Sequence, residues 1–186
     1  MSSLHFVTTN QNKYLESQFV LQQYDISIEF YNAVLTEIQN DSIEVIAIEK
    51  AKSAFAKISK PLIVEDDGLF IHELNSFPGQ YSSYVYKTIG NNGILKLLLN
   101  SKRRSAIFRS FFTFYDGKKN PKSFKGEIHG RISDRITEGG WGYDPIFIPT
   151  GFDLTFGQLE IRNRKTDFSH RTKALNQFAK WYKHKY

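Results

Sequence analysis

The chain opens on a short apolar, β-prone run, Leu4-His5-Phe6-Val7, broken at once by Thr8-Thr9-Asn10. From Asn12 to Tyr24 no Gly or Pro intervenes, and Leu15 and Phe19 recur at helical spacing, which predicts a first helix. Ile26 to Phe30 alternates as a second strand does. Asp41 or Ser42 is placed to cap a helix reaching about Ile58, with Ile43, Ile46, Ala47, Ala54 and Phe55 as its apolar stripe and the stem of Lys50 among them. Pro61 to Val64 then reads as a buried strand, continuously apolar and ended by Glu65-Asp66-Asp67.

Beyond that point the texture changes. Asn75 to Ser83 is rich in turn residues, and a helix around Ile94 to Asn100 follows Gly90-Asn91-Asn92-Gly93. Ala106 to Tyr115 is a long β-type run that turns at Asp116-Gly117, and Ser123 to Ile132 is its expected antiparallel partner. Gly139-Gly140-Trp141-Gly142 must bend tightly. A last helix, from His170 or Arg171 to Tyr182, presents Leu175, Phe178, Ala179 and Tyr182 on one face. Early strand–helix alternation followed by long antiparallel strands predicts an α/β fold with a mixed sheet. No repeat, low-complexity stretch or linker divides residues 1–186, so a single domain is expected.

Composition narrows the function classes. There are no cysteines, which removes disulfide scaffolds, thiolate metal sites and cysteine nucleophiles together. The apolar runs fall far short of the ~20 residues that cross a bilayer, so no membrane association and a cytoplasmic location are expected. Twenty-five Lys and Arg against 19 Asp and Glu give a net charge of +6. That surplus suits an anionic ligand such as a triphosphate and serves solubility equally well. An RNA-binding module fits the composition, but no aromatic–basic motif supports it, and no nucleic-acid partner is expected.

Four groups of residues carry candidate chemistry. Glu65-Asp66-Asp67-Gly68 puts three carboxylates at the end of an apolar strand, where a divalent cation would relieve their repulsion; magnesium suits such oxygen ligands and commonly brings phosphates with it. A solvated acidic turn is the competing reading. Thr8-Thr9-Asn10-Gln11-Asn12-Lys13, between strand and helix, can cradle phosphate oxygens with Lys13 as a point charge, or can be a plain helix cap. Lys165, His170 and Arg171 surround Ser169 ahead of the last helix, which describes an anion site, since cations at a helix start oppose its dipole. Trp141, Tyr143 and Phe147 bracket Asp144 and can sandwich a purine while Asp144 bonds its edge, or can be core. Ser169 and His170 are adjacent with no orienting acid, so a Ser-His-Asp hydrolase is not indicated.

Taken in order, these segments resemble the inosine triphosphate pyrophosphatase (Ham1-like) family of non-canonical purine NTP pyrophosphatases. The resemblance rests on Thr8 to Lys13, Val64-Glu65-Asp66-Asp67-Gly68-Leu69, Phe77-Pro78-Gly79-Gln80-Tyr81-Ser82, Gly126-Glu127, Gly130-Arg131-Ile132, Gly142-Tyr143-Asp144-Pro145-Ile146-Phe147, and Lys165 with Ser169-His170-Arg171. It implies a long curved mixed sheet flanked by helices, with two lobes around a central nucleotide cleft, usually as a homodimer. It implies magnesium-dependent hydrolysis of ITP, dITP and XTP to monophosphate and pyrophosphate. In that reading Lys13 holds phosphate, Glu65 and Asp66 bind metal and activate water, Tyr143 and Asp144 line the base pocket, and Lys165, His170 and Arg171 contact nucleotide, the last two at the 6-oxo group. The resemblance also implies a metal-binding glutamate five residues before Lys50, where this sequence has Val45; Glu44 or Asp67 is the carboxylate available to replace it. Thr155-Phe156-Gly157-Gln158-Leu159 stands where the family pattern is T-F-A-E-M. A catalytically weak or inactive nucleotide-binding homologue on the same fold is the alternative these departures leave.

Overall fold

A computed structural model describes residues 4–185. The elements run β1 (Leu4–Val7), α1 (Gln11–Gln22), β2 (Ile28–Tyr31), α2 (Ile43–Ile58), β3 (Leu62–Ile71), β4 (Pro78–Gly79), α3 (Ser82–Thr88), α4 (Gly90–Leu97), β5 (Ser105–Tyr115), β6 (Lys122–Ile132), β7 (Phe147–Pro149), α5 (Phe156–Ile161) and α6 (His170–Lys183), with 3-10 turns at His72–Leu74, Asp144–Ile146 and Lys165–Asp167. The strands form one sheet in the order β2-β1-β3-β5-β6-β7, with β4 beside β3. β1 is parallel to both β2 and β3, whereas β4 and β7 are antiparallel to their neighbours. The expected α/β class with a mixed sheet is therefore observed. Among the described residues no helix is long and apolar enough to cross a membrane.

The chain forms two compact units. The first takes residues up to Asp66, Ser110–Gly126 and the chain from Arg171 onward; the second takes Asp67–Arg109 and Glu127–His170.

In the first unit the strand pleat sorts side chains between two cores. Leu4, Phe6, Ile28 and Ile63 face Val20 and Leu21 of α1 and Ala174, Leu175 and Phe178 of α6. Val7, Leu62 and Val64 face Ala51 and Ala54 of α2. Successive strand residues point to opposite faces, so the alternation along β3 fixes which helix each later residue meets. The second unit is built on Leu69, Ile71, Phe108, Ile146, Phe147, Phe156 and Leu159, with Phe147 edge-on to Phe108 at 4.9 Å.

Two stretches differ from expectation. β3 does not stop at the acids but continues to Ile71, because Glu65 finds cations on the face where it lands, as described below. A short helix at Ser82–Thr88 follows the turn-rich stretch and was not expected, and the helix expected around Ile94 to Asn100 runs from Gly90 to Leu97. The cap of α2 falls on Ser42, whose Oγ accepts from the Val45 amide at 3.4 Å.

Candidate active site

In the first unit the pleat decides the fate of the acid run. Glu65 shares the face of Ile63 and meets α1 and α6; Asp66 shares the face of Val64 and meets α2. Glu65, 3% exposed, accepts from Arg171 Nε at 3.0 Å to each carboxylate oxygen and from Ser110 Oγ at 2.8 Å, with Lys13 Nζ at 3.7 Å. Arg171 Nη1 donates to Glu16 of α1. Two buried carboxylates and two cations thus alternate, Glu16, Arg171, Glu65, Lys13, which offsets the cost of desolvating each.

Asp66 Oδ2 lies 3.5 Å from Lys50 Nζ. The same ammonium is 2.6 Å from Glu37 Oε1 and 3.3 Å from the Glu65 carbonyl oxygen. Two carboxylates from different segments converge on one cation, the arrangement that a divalent ion could join. Neither Glu37 nor the role of Lys50 was foreseen. Glu44 is exposed on α2, and the carboxylate the fold brings to the Asp66–Lys50 pair is Glu37. Glu65 and Asp66, expected to share a metal, leave β3 on opposite faces, and Glu65 accepts from Arg171. Among the described residues no three His, Asp or Glu side chains form a ready metal cage.

The loop before α1 is a helix cap. Asn10 Oδ1 accepts from the Lys13 amide at 3.2 Å, and the Thr8 hydroxyl accepts from the Asn10 amide at 3.1 Å. Thr9 is exposed, while Lys13 is not: its side chain, 13% exposed, turns to Glu65.

The second unit holds the other candidates. Lys165 Nζ, 1% exposed, donates to Asp144 Oδ2 at 2.7 Å and lies 5.3 Å from the centre of the Trp141 ring. The Trp141 amide donates to the same Asp144 oxygen at 3.1 Å. His170 stacks flat on Phe108, with centroids 4.6 Å apart, and its Nε2 is 3.8 Å from Asp67 Oδ2. Ser169 is buried beside it. Tyr143 is a core residue: its hydroxyl donates to the Ser82 carbonyl at 3.0 Å and its ring meets Tyr86 edge-on. Burial and the neighbouring Tyr86 push that hydroxyl far above its ordinary pKa, in keeping with its donor role. Phe147 is core as well, so of the three aromatics expected to bracket Asp144 only Trp141 is left beside the Asp144–Lys165 pair.

The departures at 155–159 also have an explanation. Gln158 completes a capping box for α5, accepting from the Thr155 amide at 3.1 Å while its own amide donates to Thr155 Oγ1 at 3.2 Å. Either Glu or Gln performs that task. At Gly157 a Cβ would lie 2.4 Å from the Gly139 carbonyl oxygen, so the bare backbone lets the Gly139–Gly142 loop approach α5.

A buried row of alternating charges beside a lysine shared by two carboxylates, and a buried Lys–Asp pair next to an indole, on a mixed α/β sheet, are the features to set against known proteins. The Ham1 family model matches residues 4–181, and the chain belongs to that family. It is 48% identical over 179 residues to a dITP/XTP pyrophosphatase of Methanopyrus kandleri, covering 96% of this chain and 95% of that protein. It is 41% identical to the dITP/XTP pyrophosphatase of Thermococcus kodakarensis, covering 97% of each. Among solved structures, the Ham1 protein of Staphylococcus aureus superposes with a TM-score of 0.83 at 26% identity over 99% of this chain and all of the other. A HAM1 protein from Coxiella burnetii gives 0.85 at the same identity and coverage.

Proposed function

We propose that this chain is a cytoplasmic, magnesium-dependent pyrophosphohydrolase that splits non-canonical purine nucleoside triphosphates (ITP, dITP and XTP) into monophosphate and pyrophosphate. The observation that carries the reading is the convergence of Asp66 and Glu37 on the Lys50 ammonium. The names borne by full-length relatives supply the substrate class. Asp66 and Glu37 fit a magnesium ion that takes its remaining ligands from water and phosphate oxygens. When bound, such an ion neutralises phosphate charge and makes a coordinated water easier to deprotonate. Asp66 would also orient the attacking water. Lys13 holds phosphate at the start of α1, where Thr8, Thr9 and Asn10 shape the loop.

The second unit carries base recognition in this reading. Lys165, held by Asp144, together with Ser169 and His170 supplies donors for a 6-oxo purine, and Trp141 supplies a flat apolar surface. Adenine, with an amino group at that position, would leave those donors unpaired. Arg171 takes a different part from the one the resemblance assigned: with Nε and Nη1 bonded to Glu65 and Glu16, it is a positioning residue. The test is a product assay. With ITP and Mg2+, pyrophosphate should accumulate in step with IMP, and chelation of the metal should stop it; orthophosphate as the first product would overturn the reading.

The family resemblance also leads us to propose a homodimer. Sedimentation equilibrium at micromolar protein should give about twice the 21.6 kDa chain mass, and the single-chain mass would contradict it.

A further inference from the structure

The positive charge is concentrated in a way the total conceals. Residues 110–126 and 171–186 carry nine Lys and Arg and a single acid, Asp116, whereas the rest of the chain carries 16 Lys and Arg against 18 acids. Both segments belong to the first unit. They also pack on one another. Phe124 of β6 meets Phe178 and Trp181 of α6 at 5.6 and 5.3 Å, and Gln177 Nε2 donates to the Lys125 carbonyl at 2.7 Å.

On α6, Lys173, Gln177 and Lys180 are all exposed and recur at helical spacing, so they form one stripe, and His184 is exposed just past the helix end. The Gln177 bond to the Lys125 carbonyl sets that stripe alongside β6, where Lys125 and, three residues earlier, Lys122 are exposed. Lys122 and Lys185 each hold an ammonium 5.0 Å from the centre of the Trp181 ring. Lys118 and Lys119 are exposed on the turn between β5 and β6. Arg171 is buried with its carboxylates and Lys183 pairs with Asp25, so neither is needed for the surplus.

We infer that this α6–β6 face binds single-stranded nucleic acid through its phosphates, held by the exposed lysines. A run of exposed lysines, two of them fixed against the Trp181 ring, grips a flexible polyanion through its phosphates without reading its sequence. Two other occupants fit less well. A second copy of the chain would bring the same positive face against itself. A lipid surface calls for apolar side chains that enter it, and among the described residues none of the exposed large apolar side chains lies in these segments. The inference does not depend on the proposed reaction.

The experiment is fluorescence anisotropy with labelled 20-mers of dT and rU. About four phosphate contacts imply a slope near −2.8 in log K against log salt, hence affinity falling roughly fiftyfold between 50 and 200 mM KCl. The charge-reversal variant Lys122→Glu/Lys180→Glu/Lys185→Glu should bind at least about tenfold more weakly at 50 mM salt, with thermal midpoint and nucleotide hydrolysis unchanged. The control Lys52→Glu/Lys57→Glu/Lys60→Glu alters net charge equally at exposed positions elsewhere and should bind far better than the first. Any one of four results overturns the inference: no binding by the wild type at 50 mM salt, equal weakening in the control, displacement of the oligonucleotide by millimolar ITP, or tighter association with phosphatidylserine vesicles than with either 20-mer.

Discussion

Glu65 in the first unit and Asp144 in the second are equally buried carboxylates, each bonded to a buried cation, yet they are secured in different ways. Glu65 sits in an alternating row of four charges with a serine hydroxyl added. Asp144 has one ammonium and one backbone N–H on the same oxygen. A carboxylate held from several sides serves to fix its surroundings. The neighbour of Glu65, Asp66, faces α2 and lies 3.5 Å from a lysine it shares with Glu37. In the proposed reaction the acid buried deepest in the run is therefore the positioning group, and the chemistry is assigned to the one beside it.

The strongest way to break that view is to remove the cation each buried carboxylate depends on. Arg171→Met leaves Glu16 and Glu65 buried together, and unpaired buried charges cost about 3–5 kcal/mol. Lys165→Met strands one buried carboxylate, Asp144, which keeps the Trp141 amide, and the more exposed Glu160, so its loss should be smaller. Urea denaturation of both variants measures the difference; a Lys165→Met loss equal to or above that of Arg171→Met contradicts the contrast.

Asp66→Asn sharpens the comparison from the other side. It should lower turnover by at least ~10²-fold while the unfolding midpoint barely moves. Glu65→Gln should instead lower stability and activity together. Near-normal turnover in Asp66→Asn would remove Asp66 from the chemistry.

A smaller effect is expected where the second unit depends on bare backbone. The Cβ of Gly157→Ala would lie 2.4 Å from the Gly139 oxygen and 2.6 Å from that of Glu138. Relieving such a contact costs about 1–3 kcal/mol, and the displaced loop should change the emission of Trp141, read in a Trp181→Phe background. An unaltered spectrum and midpoint would mean the loop has room to spare.

How far these features were legible from sequence depends on whether they follow a period. The helix over 43–58, the long strands at 105–115 and 122–132 and the last helix repeat their apolar residues regularly, and they lie within a residue or two of where the pattern put them. α3 and β7 span seven and three residues, too short for a period to emerge. At the site, the cluster of acids at 65–67 was visible because three carboxylates in a row are conspicuous. Which face each would occupy was not, since that needs the pleat to be set by Ile63 and Val64 against known helices. Glu37 lies in an irregular stretch before α2 with no local signal, and only the fold brings it to Lys50. Likewise Tyr143 and Phe147 look the same in sequence whether they contact a ligand or fill a core.

The central claim is a division of labour, with phosphate handled by groups of the first unit and base identity by groups of the second. It is tested most directly by kcat/KM for ITP, XTP, GTP and ATP in Lys13→Ala and His170→Asn beside the wild type. Phosphate carries no base identity, so Lys13→Ala should lower all four by one common factor. His170→Asn should lower ITP and XTP by ~10-fold or more and ATP, already poor, far less, so that the ratios shrink. If His170→Asn scales all four alike, or Lys13→Ala alters their ratios, the division is wrong.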